Sequence, residues 1–335
     1  MRASAQRVLV AALLGATMLD AGCTARRPAA QAPGLSRGAS ETAEPPRQDR
    51  PHPAHSVPDD IVERAALPFH GLRLRDQQPL SPEELMSELG RAHLICFGEQ
   101  HDNPHDHYAQ WTTVNELSLR AKMAGRELGI GMEMFEARFQ RQLDAYLVGK
   151  TDAAQLMEQT KYAERWGFPF AYYRPALDVA KTHGLPVLAL GLSQETAERA
   201  AKQGVESLSR EERAGIQDFD FQDAEHRALF DQQMKDHPKS AGSLDHLYAV
   251  QVMRDEVMAR TAGKWLADRH PARLLLVLAG NTHCHRSGIV RRVRRRMELK
   301  AVGVRPVVES NGADQADLQG YDYAFVMSAL KPASP

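Results

Sequence analysis

The chain has 335 residues and a mass of 37.2 kDa, with 42 basic against 43 acidic side chains and a formal net charge of −1. This balance argues against a nucleic-acid-binding protein, which needs a basic surface, and three cysteines are too few for a disulfide framework. The composition is that of a globular protein, and no apolar run reaches the roughly 20 residues of a membrane-spanning helix.

The first 22 residues have the pattern of a bacterial lipoprotein signal peptide. Arg2 and Arg7 precede an apolar core at residues 8–19, and small residues then lead to Cys23. A signal-peptide core runs about 7–15 residues. The pattern predicts cleavage before Cys23 and acylation of that cysteine, with chains such as palmitate, which anchors a protein without a spanning helix. An ordinary secretory signal followed by a chance cysteine is the alternative.

Residues 23–60 follow, and they hold seven prolines and few large apolar side chains. Such a composition cannot bury a core, so it predicts a disordered tether between the lipid anchor and the folded domain. Thr24, rather than Asp, after the cysteine favours the outer membrane. The N-terminal segments therefore predict an outer-membrane lipoprotein that faces the periplasm.

Past the tether, short apolar runs alternate with segments of helical periodicity. The predicted helices in the first half of the chain cover residues 103–123 and 136–148. This alternation predicts an α/β fold with a mainly parallel sheet flanked by helices. The predicted strands are residues 93–97, 128–134, 185–190, 273–279, 301–304 and 323–327.

Between the third and fourth predicted strands, residues 192–270 contain no convincing strand. This is too much chain for one crossover, so we expect a smaller, inserted helical-bundle subdomain. The α/β domain would then comprise residues 61–191 and 271–330. The helical periodicity inside the insertion covers residues 193–203, 209–215, 222–235 and 243–267.

Polar side chains follow three of the predicted strands where each strand ends. Parallel sheets bind ligands at the carboxyl ends of their strands, so we expect these side chains to share one edge. Two histidines that each stand three residues after a glycine, together with two glutamates, predict a divalent-metal site. One carboxylate would then act as a catalytic base on a bound water, whereas the alternative is that these groups only bond to loop amides. The four residues are Glu99, His101, Glu133 and His283.

His105 and His107 begin the helix that follows the first of these strands, and they are either ligands or solvated side chains. For Asp102 and Asn103, capping of that helix is the favoured interpretation.

Two cysteines lie near the predicted rim. Inside a strand, Cys96 is interpreted as a small buried hydrophobe, and Cys284 as a candidate soft ligand. A disulfide between them stays open, because the sequence does not place their Cα atoms.

Residues 162–174 concentrate aromatic side chains. Aromatic faces suit a flat apolar ligand, and a tyrosine phenolate binds ferric iron. A packed loop between a helix and a strand is an equally weighted alternative. The aromatic residues of the segment are Tyr162, Trp166, Phe168, Phe170, Tyr172 and Tyr173.

Six arginines crowd residues 286–296. They could pair with ligand carboxylates or face anionic lipid headgroups. A solvated helix face is the interpretation that such runs favour.

Three blocks of this sequence resemble the ChaN family, and they occur in the family's order. They are FGEQHDNPH at residues 97–105, GMEMF at 131–135 and AGNTH at 279–283. The resemblance covers roughly residues 65–328 and implies a large α/β domain with a smaller helical bundle. ChaN-like proteins are iron-regulated, haem-binding lipoproteins of Gram-negative bacteria. They belong to a wider group with the TIKI metalloproteases, TraB-like proteins and erythromycin esterases.

The resemblance first implies a binding protein that holds haem at the outer membrane and passes it toward haem or iron uptake. The implied partners are haem, a membrane reached through the lipid anchor, an uptake receptor, and a second copy of the chain in a homodimer that shares two haems. The family pattern does not assign the iron ligand. The candidates are Tyr162, Tyr172, Tyr173, His105 and His107.

The same resemblance implies a second function class, a metal-dependent hydrolase acting on a peptide or an ester. The wider group shares two Gly-x-x-His motifs and a glutamate pair. These match Gly98 to His101, Gly280 to His283, and Glu99 with Glu133 in this chain.

Overall fold

The computed structural model describes residues 68–216, 218–235, 243–309 and 318–328. The predicted signal peptide, Cys23 and the tether at residues 23–60 lie outside these ranges, so lipidation and the outer-membrane location stay predictions. Within the described ranges, no helix combines the length and the hydropathy that crossing a bilayer requires.

An eight-stranded sheet forms the centre of the described chain. Its spatial order is β2-β1-β8-β7-β3-β6-β4-β5, and all neighbours from β8 to β5 are parallel. At one edge, β1 pairs antiparallel with β2 and β8. The predicted α/β fold with a mainly parallel sheet is therefore confirmed. The strands are β1 (Phe69–Arg73), β2 (Gln78–Leu80), β3 (Leu94–Glu99), β4 (Glu127–Glu136), β5 (Val187–Gly191), β6 (Arg273–Gly280), β7 (Ala301–Val308) and β8 (Tyr323–Met327).

Twelve α-helices flank the sheet or follow its strands within the described ranges. Six precede β5 in the chain or lead into it: α1 (Pro82–Gly90), α2 (Pro104–Met123), α3 (Gln140–Leu147), α4 (Ala153–Thr160), α5 (Tyr162–Arg165) and α6 (Arg174–His183). The others are α7 (Gln194–Gln203), α8 (Arg210–Ala214), α9 (Ala224–Met234), α10 (Leu244–Ala267), α11 (Asn281–Cys284) and α12 (Arg291–Arg296).

The helix that carries two candidate ligands begins where its sequence provides a cap. The Asn103 side chain accepts a hydrogen bond from the backbone amide of His105, so α2 starts at Pro104. The capping prediction is confirmed for Asn103. It is wrong for Asp102, whose carboxylate instead accepts a hydrogen bond from the Gln100 side chain at 3.1 Å.

The central strands are buried on both faces, which is why their sequences are continuous apolar runs. In β3, Ile95 and Phe97 belong to one hydrophobic cluster, whereas Leu94 and Cys96 belong to the cluster on the other face. The consecutive residues at the carboxyl end of β3 are thereby fixed by packing from both sides.

Helices α7 to α10 lie between β5 and β6 in the chain and have a hydrophobic cluster of their own. Its members include Ala200, Phe230, Leu247 and Met253. The smaller inserted helical part of the predicted fold is present, while the boundaries at residues 192 and 270 remain predictions. The long helix α10 contributes at the same time to the cluster beneath the sheet, through residues such as Met258.

Candidate functional site

The three strands that carry the predicted polar rim are neighbours, in the order β3-β6-β4. Glu99 pairs in register with Gly280, and Glu133 lies near the end of β4. A Cβ atom on Gly280 would lie 3.0 Å from His101 and 3.6 Å from His283, so both imidazoles pack against this glycine. The structure thus brings the four predicted residues together, and we call Glu99, His101, Glu133 and His283 the polar rim.

Glu99 is buried and bonded to its surroundings through one oxygen. That oxygen lies 2.7 Å from Nδ1 of His101, and it accepts a hydrogen bond from the Tyr173 hydroxyl at 2.6 Å. The Trp166 indole in turn donates to the Tyr173 hydroxyl at 3.0 Å. Burial alone would raise the pKa of Glu99, but the charge of His107 and the hydrogen bond from His101 lower it. Glu99 therefore remains a carboxylate.

His283 lies between two carboxylates. Its Nδ1 is 2.5 Å from Asp255, and its Nε2 is 3.1 Å from Glu133. Burial would lower the pKa of His283, but the two acidic neighbours raise it to about 10. For Glu133, burial is likewise outweighed by His283, and its pKa falls to about 2. An imidazolium that donates from both nitrogens accounts for this geometry.

The predicted divalent-metal site is not found in the described ranges. No group of three or more His, Cys, Asp or Glu side chains there has an arrangement that could hold a metal ion. In this arrangement both nitrogens of His283 and one nitrogen of His101 face carboxylates, and the metal-binding roles of the four residues stay predictions. The catalytic roles of Glu99 and Glu133 stay predictions.

Asp255 on α10 is the central residue that sequence reasoning missed. It is fully buried and contacts His283 with one oxygen and Nε2 of His226 with the other, at 2.7 Å. The buried guanidinium of Arg292 lies 3.7 Å away. A signal was present, because Asp255 falls on the apolar face of α10 between Val252 and Ala259, where an acidic side chain needs a buried partner.

Several arginines of the run form ion pairs with the helical insertion. The interpretation as a solvated face was wrong for Arg291, Arg292 and Arg296, whereas the other three arginines of the run are exposed. Arg292 is 1% exposed and contacts Glu256 at 3.3 Å. Arg295 and Arg296 also pair with Glu256, and Arg291 pairs with acidic residues at the start of α9. These contacts join α12 to the helices α9 and α10.

A disulfide joins Cys96 in β3 to Cys284 at the end of α11, with the Cα atoms 5.0 Å apart. Both residues are fully buried. The disulfide that the sequence left open is therefore confirmed. Cys96 is buried in a hydrophobic cluster, as predicted, and the interpretation of Cys284 as a soft ligand is wrong. Because Cys284 directly follows His283, the bond ties His283 to β3, the strand that carries Glu99 and leads to His101.

The three predicted tyrosine ligands differ in exposure. Tyr162 and Tyr173 are buried, and burial raises the pKa of both well above the ordinary value of 10. Tyr172 is only half-buried, and its ring stacks on His107 with centroids 4.5 Å apart and an interplanar angle of 13°. Its pKa is also raised by burial. Among the three, Tyr172 is the one that a surface ligand can reach.

The two predicted histidine ligands differ in the same way. His107 is 5% exposed, and its Nε2 donates to the backbone carbonyl of His101 at 3.0 Å. Its Nδ1 has no hydrogen-bond partner among the described residues and lies 3.6 Å from Glu99. His105 is half-buried, with Nδ1 3.2 Å from the Asn103 side chain, and burial lowers its pKa.

Phe168 and Tyr172 form a half-buried surface beside the rim, which we call the aromatic shelf. The Phe168 ring packs on His101 at 4.9 Å, and Tyr172 packs on His107. Two flat rings resting on buried imidazoles, with a phenol at the surface, fit a flat ligand that carries ferric iron. The chemistry of this donor set is therefore compatible with haem.

Glu133 also lines a small cavity of about 50 Å³. It is lined by Glu136, Arg165, Trp166 and Arg254, among others. Its volume suits a few water molecules or a small chemical group, and it is far too small for a porphyrin.

The chain is similar to known proteins over most of the described sequence. A family model described as "Haem-binding uptake, Tiki superfamily, ChaN" matches residues 85–293, which is more than half of the chain. The fold is similar to ChaN of Campylobacter jejuni, a structure described as showing cofacial haem binding, with 23% identity and a TM-score of 0.56 over 78% of this chain and 97% of that chain.

Two other solved structures are similar at lower scores. The type III effector HopBA1 has 12% identity and a TM-score of 0.42, over 74% of this chain and 93% of its own. An erythromycin esterase variant, EreC in its open conformation, has 13% identity and a TM-score of 0.40, over 80% and 85%. No sequence among the curated proteins matches the chain.

Proposed function

This chain belongs to the haem-binding uptake family of the Tiki superfamily, ChaN, and from that premise we propose that its aromatic shelf binds haem for haem or iron uptake. The observation that carries the proposal is the position of Tyr172. Its ring is half-buried at the surface and stacks on the buried His107. The phenol oxygen of Tyr172 binds the ferric iron, and Phe168 packs against the porphyrin.

Tyr162, Tyr173 and His107 are buried, so iron could reach them only after the protein around them rearranged. The Tyr173 hydroxyl donates to Glu99 and accepts from Trp166 inside the protein. Tyr162 is 3% exposed, and His107 is bonded to a backbone carbonyl. Half-buried His105 belongs to the edge of the site, where it can contact a propionate or the porphyrin rim.

An open shelf covers only one face of a porphyrin. A second copy of the chain, with its own haem, covers the other face in a homodimer, since stacking two porphyrins removes both apolar faces from water. The cofacial haems described for ChaN of Campylobacter jejuni support this arrangement. An uptake receptor would then accept the haem.

A haem titration tests the proposal. Residues 24–335 with ferric haem should give a saturable, red-shifted Soret band, with a position typical of tyrosinate ligation. Tyr172→Phe should remove that band position and weaken binding about tenfold or more. The matched control is Tyr321→Phe, which removes the hydroxyl of another half-buried tyrosine outside the shelf. The proposal fails if Tyr172→Phe and Tyr321→Phe give the same Soret position and the same haem affinity.

For the location, we propose the lipid anchor at Cys23. Cys23→Ser should release the protein from the membrane fraction of a Gram-negative host. Persistent association with membranes after this substitution would reject lipidation as the sole anchor.

Hydrolysis of a peptide or ester is a second candidate, favoured by one observation. Glu133 and Trp166 line a small cavity, and Glu133 is held in place by His283 and by the backbone amide of Gly280 at 2.8 Å. A fixed carboxylate beside a space of that size can orient and activate a water molecule.

Substitutions separate this second candidate from haem binding. On a hydrolase, Glu99→Gln or Glu133→Gln should abolish turnover of a p-nitrophenyl ester or a reporter peptide and leave the haem titration unchanged. Glu198→Gln is the control, because Glu198 lines the same cavity but lies outside the rim. Selective loss of haem binding in Glu99→Gln would instead assign the rim to the haem site.

A further inference from the structure

A large cleft lies at the opposite ends of the parallel strands from the polar rim. Its lining includes Lys300, just before β7, and Tyr323, the first residue of β8. Arg73 ends the antiparallel strand β1 and therefore reaches the same edge. The rim is at the carboxyl ends of the parallel strands, whereas this cleft is at their amino ends. Its volume is about 1040 Å³.

The cleft is basic. Two acidic residues, Glu88 and Asp322, also line it. Both carboxylates have internal partners, since Glu88 accepts from the Tyr323 hydroxyl at 2.8 Å and Asp322 accepts from the backbone amide of Gly303 at 2.8 Å. The basic residues outnumber them threefold: Arg73, Arg75, Arg91, Arg286, Arg294 and Lys300.

Two of the guanidinium groups are fixed in the wall of the cleft. Arg73 has a side chain only 14% exposed, donates to Gln78 at 2.6 Å and lies 3.4 Å from Glu88. Arg294 donates to the backbone carbonyl of Ala301. A cation held by the protein loses little entropy when an anion binds beside it.

Other cations at the mouth of the cleft are exposed and weakly compensated. In the described ranges, neither Arg91 nor Lys300 has a carboxylate within 4 Å; the Arg91 guanidinium reaches the Ser87 hydroxyl at 3.4 Å. Arg75 is 3.7 Å from Asp76. Guanidinium and ammonium groups make the charge-assisted hydrogen bonds by which proteins recognise phosphate.

We propose that this basic cleft binds a phosphate-bearing anion, at a site separate from the aromatic shelf. The same phosphate chemistry is offered by an anionic phospholipid headgroup and by a free phosphate compound. The opening of the cleft to solvent permits a headgroup to enter while its acyl chains stay in a bilayer. Binding weakens with salt, because the cations at the mouth are exposed.

The test uses residues 24–335, which lack the proposed lipid anchor, and two probes. Inorganic pyrophosphate is titrated by calorimetry, and vesicles of phosphatidylglycerol and phosphatidylcholine in equal amounts are tested by co-sedimentation against pure phosphatidylcholine. The variant is Arg91→Gln with Lys300→Gln, and both residues are exposed, so the fold is kept. The control is Arg141→Gln, an exposed arginine on α3 outside the cleft.

The double variant should weaken binding about fivefold or more, and the control by less than about twofold. Vesicle binding that depends on the cleft and is displaced by pyrophosphate identifies a lipid headgroup as the source. Pyrophosphate binding that depends on the cleft, with vesicle binding unchanged, identifies a free phosphate. The proposal is overturned if neither probe distinguishes the double variant from Arg141→Gln. The haem titration of the double variant should match wild type in every case.

Discussion

The polar rim and the aromatic shelf are adjacent, but they differ in what their side chains contact. The side chains of the rim contact other protein groups, whereas those of the shelf are partly exposed to solvent. In the rim, His283 is buried and contacts carboxylates through both ring nitrogens. On the shelf, Phe168 and Tyr172 are half-buried and leave part of each ring open. The comparison indicates that the charges of the rim hold strands and helices together, while the shelf is free to take a ligand. We therefore expect substitutions at the rim to lower mainly the unfolding free energy, and substitutions on the shelf to lower mainly the haem affinity.

The largest expected effect is a loss of unfolding free energy in Asp255→Ala, which removes the carboxylate that contacts His283 of the rim. This substitution leaves buried His283, His226 and Arg292 without their shared carboxylate. Removing one partner of a buried ion pair costs about 3–5 kcal/mol of unfolding free energy, because the remaining charge stays buried. Urea unfolding measures this loss. The haem affinity of the folded variant should stay within about threefold of wild type.

Asp245→Ala is the matched control for that experiment. Asp245 lies on the same helix and pairs with Arg227, but its side chain is 79% exposed. An exposed pair contributes less than about 1 kcal/mol. Equal losses in the two variants, or loss of haem binding in folded Asp255→Ala, would remove the distinction between rim and shelf.

The next effect concerns the disulfide beneath the rim. Cys96→Ala combined with Cys284→Ala should lower the unfolding free energy by about 2–5 kcal/mol, because the bond closes a loop with a sequence separation of 188. Wild-type protein unfolded with a reducing agent should then match the double variant. If oxidised wild type and the variant unfold at the same urea concentration, the bond contributes nothing to stability.

The smallest change in stability is expected on the shelf, from Phe168→Ala. The porphyrin loses an aromatic face, so haem affinity should fall about three- to tenfold. The unfolding free energy should change by about 1 kcal/mol, because the ring is only partly buried. Phe221→Ala, which truncates a half-buried phenylalanine of the helical insertion, should leave the haem titration unchanged. If Phe168→Ala and Phe221→Ala bind haem with equal affinity, the shelf is not the haem site.

The fold was predictable where local sequence and tertiary burial agree. Strand β8 has the predicted bounds, and β6 extends the prediction by one residue, because both are apolar runs with clear ends. The hairpin of β1 and β2 was missed. Phe69–Arg73 and Gln78–Leu80 are short, and their partly exposed residues give no continuous apolar signal. β1 is defined by its pairing with β8, and β2 by its pairing with β1, and the sequence displays neither pairing.

The candidate site was predictable only in part, for a related reason. Glu99 and Glu133 lie near the ends of recognisable strands, and His101 and His283 follow such ends. The sheet order therefore brings the four residues together. Asp255 comes from a distant helix, and its role depends on how that helix packs. The choice among the tyrosines depends on burial, which separates Tyr172 from its sequence neighbour Tyr173 although both have the same local pattern.

The Cys96–Cys284 bond makes the middle of this chain a closed covalent ring. The ring contains β4, β5 and the whole helical insertion. A single proteolytic cut at any peptide bond inside it opens the ring without releasing a fragment, since the two pieces stay joined through the sulfurs. A nicked molecule would therefore migrate as two bands only after reduction, and it would keep Glu99 and His283 on one covalently connected species.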